Sequence, residues 1–475
     1  MNVLVSAEKR ADRIKTRFLY GQRRLKRISS TTTLGGIFLS FFKIGLTGFG
    51  GGLAVISQIR TLAVTKRGWF TDHEFAEALA LAQSLPGTNA GNVVTYIGLR
   101  LRGVKGASTA LGAFISPSVI LMVGLAILYR HFRQIPDTDK FFIGLNAAVV
   151  ALIVLHSFKI GRATLQKSWQ WALALFSFLA IALLGATTIE CVLVAGLVGL
   201  YADSYTEQRF KKWRRIRHLA DLRRKRLKNQ HNFVGGYITR AMAEDRVRKE
   251  EMSEDDAFLI APDTIGDSSD RLHDRIHEGK TKFRSVAIII LVAMPLLAKL
   301  SLLLSLAGVF LRIGAVAFGG GFVMVPLIEA DVVQKYHWIT AQEFADATAL
   351  GQITPGPLLC TASFIGYRVA GTLGALVATL SVYLPAFVMT SAIGMSLRRF
   401  RSNRQVQAFL RGVTPAVVGL LAAAAWSIGR VSINSWTGIF VAITAFIILV
   451  RFRVNAVWII FGAGIISLIF LLIIR

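Results

Sequence analysis

Two kinds of residue cluster in this 475-residue chain could bind an anion. A glycine triplet at Gly50–Gly52 returns 269 residues later at Gly319–Gly321, and Pro86-Gly87 returns as Pro355-Gly356-Pro357. Both should break a helix, because glycine costs about 1 kcal/mol per residue relative to alanine and proline is tolerated only in the first turn. A helix that starts at such a break offers free N–H groups and a partial positive charge, which bind an anion without any charged side chain. The alternative is that these residues only allow close helix packing.

Polar side chains near the breaks could add neutral hydrogen bonds to the same site. Asn89 and Asn92 follow the first Pro-Gly pair, and Thr361 and Ser363 follow the second. The matched glutamines Gln83 and Gln352 lie about one helical turn before each proline, where they could bind a substrate or satisfy the backbone that the break frees.

Two cations occupy matched positions before the glycine triplets, Lys43 in one copy and Arg312 in the other. A charge inside a membrane segment is costly and usually functional, although both side chains could instead extend to the membrane surface. The candidate substrate-binding residues are therefore Lys43, Phe49, Gly50, Gly51, Gly52, Gln83, Pro86, Gly87, Asn89, Asn92, Arg312, Phe318, Gly319, Gly320, Gly321, Gln352, Pro355, Gly356 and Pro357.

The elements that must position these residues are membrane helices. Hydrophobic residues make up 53% of the chain, its mean hydropathy is +0.54, and many stretches approach the roughly 20 apolar residues that a spanning helix needs. We therefore predict an all-α polytopic membrane protein. Two cysteines, Cys191 and Cys360, exclude a disulfide framework and a tetrahedral cysteine metal site. Hydrolytic triads, phosphate loops and metal-ligand spacings are absent, so we expect no catalytic residues, no metal and no cofactor, and not an enzyme.

Matched residues over about 120 positions indicate an internal repeat. Trp69, Thr71 and Glu74 correspond to Trp338, Thr340 and Glu343, and each Thr–Glu pair has the spacing of a helix capping box. The predicted division is a basic tail (1–32), a first repeat (33–202), a charged connector (203–284), an extra transmembrane segment (285–301) and a second repeat (302–475).

The distribution of basic residues predicts that the two repeats are inverted. Nine of the 55 Lys and Arg lie between Lys9 and Arg27, and twenty lie between Arg209 and Arg284, which places both regions in the cytoplasm. The turns at 60–72 and 99–106 are basic in the first repeat, whereas their counterparts in the second are not. We therefore expect two re-entrant broken-helix hairpins per repeat, entering from opposite sides of the membrane and followed by transmembrane helices, with the C-terminus outside. A nucleic-acid partner is not expected, because the charge flanks membrane segments.

The motifs of both halves resemble those of the chromate ion transporter family in its long, two-repeat form. The resemblance covers about 33–202 and 302–475 and is strongest in FGGGFVMVPLIEADVV (318–333), WIT (338–340) and GQITPGPLL (351–359). The resemblance implies a membrane transporter that exports a tetrahedral dianion, most simply chromate, across the plasma membrane.

The first half departs from the family pattern at four positions. Gly52 stands where proline is usual, Val55 where histidine is common, Thr88 where a second proline would complete PGP, and Asn92 where glutamine is usual. Because these positions lie in the candidate site, sulfate or another oxyanion stays open as substrate. An anion channel of the same fold and a non-transporting membrane scaffold are the other hypotheses. The expected partners are a small inorganic oxyanion and the lipid bilayer, and a homodimer is compatible with the sequence.

Overall fold

The computed structural model describes residues 32–49, 52–184, 186–188, 190–202, 204, 279–317, 321–394, 404–433, 435–452 and 454–473. Within these ranges every regular element is helical, which confirms the predicted all-α class. The first repeat contains α1 Leu34–Thr47, α2 Gly52–Arg60 with a π-helical extension Thr61–Lys66, α3 Asp72–Ala82, α4 Asn89–Phe132, α5 Thr138–Thr164, α6 Ser168–Leu184 and α7 Glu190–Ala202. The second contains α8 Gly279–Val316, a 3₁₀ turn Gly321–Val323, α9 Met324–Glu329 with a π-helical extension Ala330–Lys335, α10 Ala341–Ile353, a 3₁₀ turn Leu358–Cys360, α11 Thr361–Gly394, α12 Arg404–Ser432, α13 Trp436–Arg451 and α14 Ala456–Ile473.

Local details recur at matched positions, so the internal repeat is confirmed. The π-helical turns Thr61–Lys66 and Ala330–Lys335 occupy equivalent places. Both predicted capping boxes are present: the Thr71 hydroxyl accepts from the Glu74 N–H, and Thr340 and Glu343 repeat this arrangement. Each box starts the short helix that leads to a Pro-Gly turn.

Two long helices of the structure, α4 and α11, each consist of two arms. The backbone leaves the helical region at Arg102 and Gly103 in α4, and at Ala370 and Gly371 in α11, with φ of 61° and 66° at the two glycines. Gly98 and Gly106 are in contact across the α4 break, whereas a straight helix would separate positions eight apart by about 12 Å. The arms therefore fold back on each other, in agreement with the turn predicted at 99–106.

In the first repeat, the helices on either side of the glycine triplet and before the Pro-Gly turn are too short to cross a bilayer. α1 has 14 residues, or about 21 Å at 1.5 Å per residue, against a hydrocarbon core of about 30 Å; α2 and α3 are shorter still. By contrast, five helical stretches among the described residues are long and apolar enough to span a membrane, and α5 and α12 are two of them. Half-crossing hairpins followed by full spans fit these lengths.

The matched helices α5 and α12 pack in antiparallel directions, which shows that the repeats are inverted. The Ser157 hydroxyl donates to the carbonyl of Val418 at 3.1 Å, and a Cβ on Gly429 would lie 3.7 Å from Val150. Residue numbers therefore rise along α5 while they fall along α12. Rotation about a twofold axis parallel to the helices would leave α5 and α12 parallel to each other. The axis that relates the two repeats therefore runs perpendicular to these helices, in the plane of a membrane.

The two repeats share one core. α5 of the first repeat packs against α12, α13 and α14 of the second, and α12 packs in turn against α6. Close approach depends on small residues at several of these crossings: a side chain on Gly144 would collide with the backbone of Ala463. Neither half buries its apolar helices without the other.

The predicted domain boundaries stay predictions, including the extra transmembrane segment at 285–301. Almost all of the basic tail (1–32) and most of the connector (203–284) lie outside the described residues, and their cytoplasmic location stays a prediction.

Candidate functional site

Each Pro-Gly turn docks on the end of the broken helix of the opposite repeat. The Gly87 N–H donates to the carbonyl of Ala317 at 2.8 Å, and the Gly356 N–H donates to the carbonyl of Gly48 at 3.0 Å. Ala317 and Gly48 are themselves matched, so the two bonds are related by the internal symmetry. Because backbone groups at membrane depth need protein or water partners, each repeat satisfies groups that the other repeat's break leaves free.

The conformation of both turns requires glycine. The φ angles of Gly87 and Gly356 are +96° and +103°, a region that side-chain-bearing residues rarely adopt. A Cβ on Gly87 would lie 2.6 Å from Cβ of Ala386, and one on Gly356 would collide with Oγ of Ser118. The Ser118 hydroxyl also donates to the Pro355 carbonyl at 2.5 Å, which fixes the second turn to α4 of the first repeat.

The glycine triplet of the second repeat ends beside a helix N-terminus of the first. Thr88 is the N-cap of α4, and its hydroxyl accepts from the Gly91 N–H at 3.2 Å. A Cβ on Gly321 would lie 3.7 Å from Cγ2 of Thr88. The structure thus brings one motif from each repeat together, as two facing half-sites require. Gly52, the matched glycine of the first repeat, is exposed and would meet no atom within 4 Å.

The central candidate residues fall outside the described residues. These are Gly50, Gly51, Phe318, Gly319 and Gly320. Phe49, which precedes the first triplet, is 40% exposed. Beside Gly321, a cavity of about 10 Å³ is lined by Phe344, Thr348, Leu358 and Thr361 together with neighbouring apolar side chains. That volume holds about one water.

Among the polar side chains near the turns, Gln352 is the strongest candidate donor. Its Nε2 is buried without a hydrogen-bond partner, whereas the matched Gln83 is exposed. The Oδ1 of Asn89 is also buried and unpartnered, but an amide oxygen only accepts, so Asn89 could donate to an oxyanion only through its Nδ2. An unpaired buried donor such as Nε2 of Gln352 costs about 1–3 kcal/mol, which an oxyanion bonded to it would offset.

Other polar candidates already have internal partners. Asn92 donates to the carbonyls of Ala82 at 3.2 Å and Pro86 at 2.9 Å, so its amide closes the first break. The Ser363 and Thr379 hydroxyls are bonded to each other at 2.7 Å. Thr361 donates to the carbonyl of Leu358 at 2.8 Å. These three side chains stabilise the breaks.

The two matched cations have different surroundings. The guanidinium of Arg312 pairs with the carboxylate of Asp331 at 2.5 Å, and that carboxylate is only 12% exposed. Lys43 is exposed on α1, and no ion pair to it occurs among the residues that the structure describes. The charge of Arg312 is therefore already balanced by a neighbour.

A buried acidic cluster escaped the sequence reasoning. Asp346 on α10 is fully buried and accepts from Tyr129 at 2.6 Å, from Asn146 at 2.7 Å and from the guanidinium of Arg133. These three partners belong to the first repeat, so the cluster ties the two repeats together; Gln342 of the second repeat also donates to Asp346, at 3.2 Å. The available signal was an acid at the matched positions Glu77 and Asp346.

Inverted repeats with broken helices meeting at their shared axis define an integral membrane transporter architecture. A family model described as "Chromate transporter" matches residues 35–200 and 304–468. The chain belongs to the chromate transporter family, which confirms the resemblance found in the sequence.

Curated relatives match over most of their length. The chain is 28% identical to a chromate transport protein of Pseudomonas aeruginosa, over 90% of each chain. It is 26% identical to one from Cupriavidus metallidurans, over 92% of this chain and 94% of the relative. A probable chromate transport protein of Synechococcus elongatus is 27% identical over 86% of this chain and 87% of its own. No solved structure matches the chain significantly.

Proposed function

We propose that the protein exports a tetrahedral oxyanion dianion, chromate in the first instance, across the plasma membrane. The observation that carries the proposal is the reciprocal docking of the Pro-Gly turns, Gly87 on Ala317 and Gly356 on Gly48. It holds the breaks of both repeats at one shared axis, where alternating-access transporters bind substrate.

The site binds an anion through dipoles and neutral donors. The N-terminus of α4 after Thr88 supplies a partial positive charge of about half a unit. The free Nε2 of Gln352 adds a donor. A binding site with weak, distributed charge suits transport, because the substrate must also leave.

Chromate as substrate is supported by the names of the relatives, three of which are chromate transport proteins. Sulfate stays the alternative substrate, because the first half departs from the family pattern at Gly52, Val55, Thr88 and Asn92. We propose export because the chromate transporter family is associated with chromate efflux.

The test is flux of radiolabelled chromate in proteoliposomes of the purified protein, with unlabelled sulfate, molybdate and phosphate as competitors. We expect saturable flux in which chromate competes best, and a Gln352→Ala variant that half-saturates at a concentration at least tenfold higher. Ser108→Ala, an exposed hydroxyl bonded within its own helix, is the control. A wild-type protein without saturable oxyanion flux would refute transport, and an unsaturated current that carries only the anion's own charge would indicate a channel.

A further inference from the structure

A polar cavity, separate from the small one beside Gly321, lies between α6, α9 and α12, apart from the Pro-Gly turns. Its volume is about 360 Å³, room for several waters, and its polar lining comes from Glu329, Gln334, Ser427 and Arg430. Glu329 ends α9, the short helix that begins directly after the glycine triplet of the second repeat. A group bound here would therefore act on the segment that carries half of the proposed oxyanion site.

Glu329 is a buried carboxyl without a cation beside it. Its residue is 4% exposed, the Ser427 hydroxyl hydrogen-bonds it, and no Lys, Arg or His nitrogen among the described residues forms an ion pair with it. The other acids of this repeat are paired: Asp331 with Arg312 and Glu343 with Arg368. Burying an unpaired carboxylate costs several kcal/mol, and the group avoids that cost by taking up a proton.

The first repeat has no acid at the position equivalent to Glu329, so the internal symmetry gives no structural reason for this carboxyl. The matched position in the first repeat is Arg60, an exposed side chain that pairs with Asp72 at 2.5 Å. Six described charged side chains lie on the elements packed against Glu329. They are Asp331 and Lys335 on the π-helical extension, Glu343 and Asp346 on α10, and Arg411 and Arg430 on α12; α6 carries none. Of these, Arg430 shares the cavity.

We propose that Glu329 is a proton-binding site, reached from water through this cavity, whose protonation is coupled to movement of the oxyanion. The carboxylate takes a proton from water on one side of the membrane and returns it to water on the other, with no change of oxidation state. When Glu329 is ionised, its buried charge has no paired cation and depends on water in the cavity for solvation; when it is protonated, that charge is gone and α9 can move without carrying it. This inference rests on the proposed transport function.

The first test uses proteoliposomes with the membrane potential clamped at zero. It measures chromate exchange and pH-driven chromate accumulation separately. We expect the wild type to exchange chromate at equal concentrations and to accumulate it when a pH gradient is imposed. Glu329→Gln should keep exchange within about twofold, because the oxyanion site is intact, and lose at least 90% of the pH-driven accumulation. Glu77→Gln removes a carboxylate that faces His73 instead of the cavity and should keep both.

The second test needs no transported substrate. Infrared difference spectra of the purified protein, recorded across a pH titration, should contain a protonated-carboxyl band that is missing from Glu329→Gln and retained in Glu77→Gln. Absence of a band specific to Glu329, or pH-driven accumulation by Glu329→Gln equal to the wild type, overturns the proton site. Loss of chromate exchange by the wild type would instead refute the transport function, while the infrared band would still decide whether Glu329 binds a proton.

Discussion

The backbone N–H of Gly87 donates to the carbonyl of Ala317 at 2.8 Å, across the boundary between the two repeats. The symmetry-related bond joins Gly356 to Gly48 at 3.0 Å. Each repeat thus supplies the group that completes the other's broken helix.

Alanine at either turn glycine should destabilise the junction. Gly356→Ala forces a positive φ on a side-chain-bearing residue and drives its Cβ into Ser118, which should lower the free energy of unfolding by about 1–3 kcal/mol. Gly87→Ala should act similarly through Ala386. Unfolding by dodecyl sulfate in mixed micelles measures the effect. Gly124→Ala is the control, since its Cβ would meet no atom within 4 Å; equal stability of all three variants would contradict the docked geometry.

The acidic cluster gives a matched pair of variants around one guanidinium. Arg133 binds both Asp346, which is fully buried, and Asp139, whose side chain is 75% exposed. Asp346→Asn should lower the unfolding free energy by about 3–5 kcal/mol, because it removes one partner of a buried pair. Asp139→Asn should cost less than about 1 kcal/mol.

If Asp346→Asn and Asp139→Asn lowered the free energy of unfolding by comparable amounts, Asp346 would not hold the repeats together. The measurement is the same mixed-micelle unfolding, with far-ultraviolet circular dichroism as the signal.

The repeat and its local elements could be predicted because they depend on residues close in sequence. The capping boxes at Thr71 and Thr340 and the break after Arg102 follow from local rules, and the structure confirms them. The docking of Gly87 on Ala317 and the pairing of Asp346 with Arg133 join residues more than 200 positions apart. No periodicity or spacing encodes such pairs, since they depend on how the two repeats pack.

Asn92 illustrates the same limit within one motif. A polar residue after a Pro-Gly turn looks like a substrate ligand in the sequence. In the structure, the break itself frees the carbonyls of Ala82 and Pro86, and the Asn92 amide binds both.

Arg312→Gln should act mainly on stability, because it leaves the carboxylate of Asp331 buried and unpaired. We expect a loss of about 1–3 kcal/mol, largely recovered in the double variant Arg312→Gln/Asp331→Asn, with Arg312→Lys milder because it keeps the charge. Lys43→Gln should leave stability unchanged and raise the half-saturating chromate concentration at least tenfold. Chromate flux that is unchanged in Lys43→Gln at matched protein abundance would mean that Lys43 only reaches to the membrane surface.

The inverted arrangement predicts opposite accessibility of two matched turns. Lys66 ends the first π-helical extension, Tyr336 directly follows the second, and both residues are exposed. In intact cells, Tyr336→Cys should react with a membrane-impermeant thiol reagent and Lys66→Cys should not. The native Cys191 and Cys360 are buried, so the background should be low. Equal labelling at both positions would contradict the orientation of the repeats.

Equilibrium dialysis of radiolabelled chromate against the purified protein tests most directly whether the two repeats form one shared site. We predict one chromate bound per chain, with affinity lowered at least tenfold, or about 1.4 kcal/mol, by Asn89→Ala in the first repeat and equally by Gln352→Ala in the second. Ser108→Ala should bind as the wild type does. Two chromates per chain, each lost in only one of the two variants, would contradict a shared site, as would unchanged binding in both.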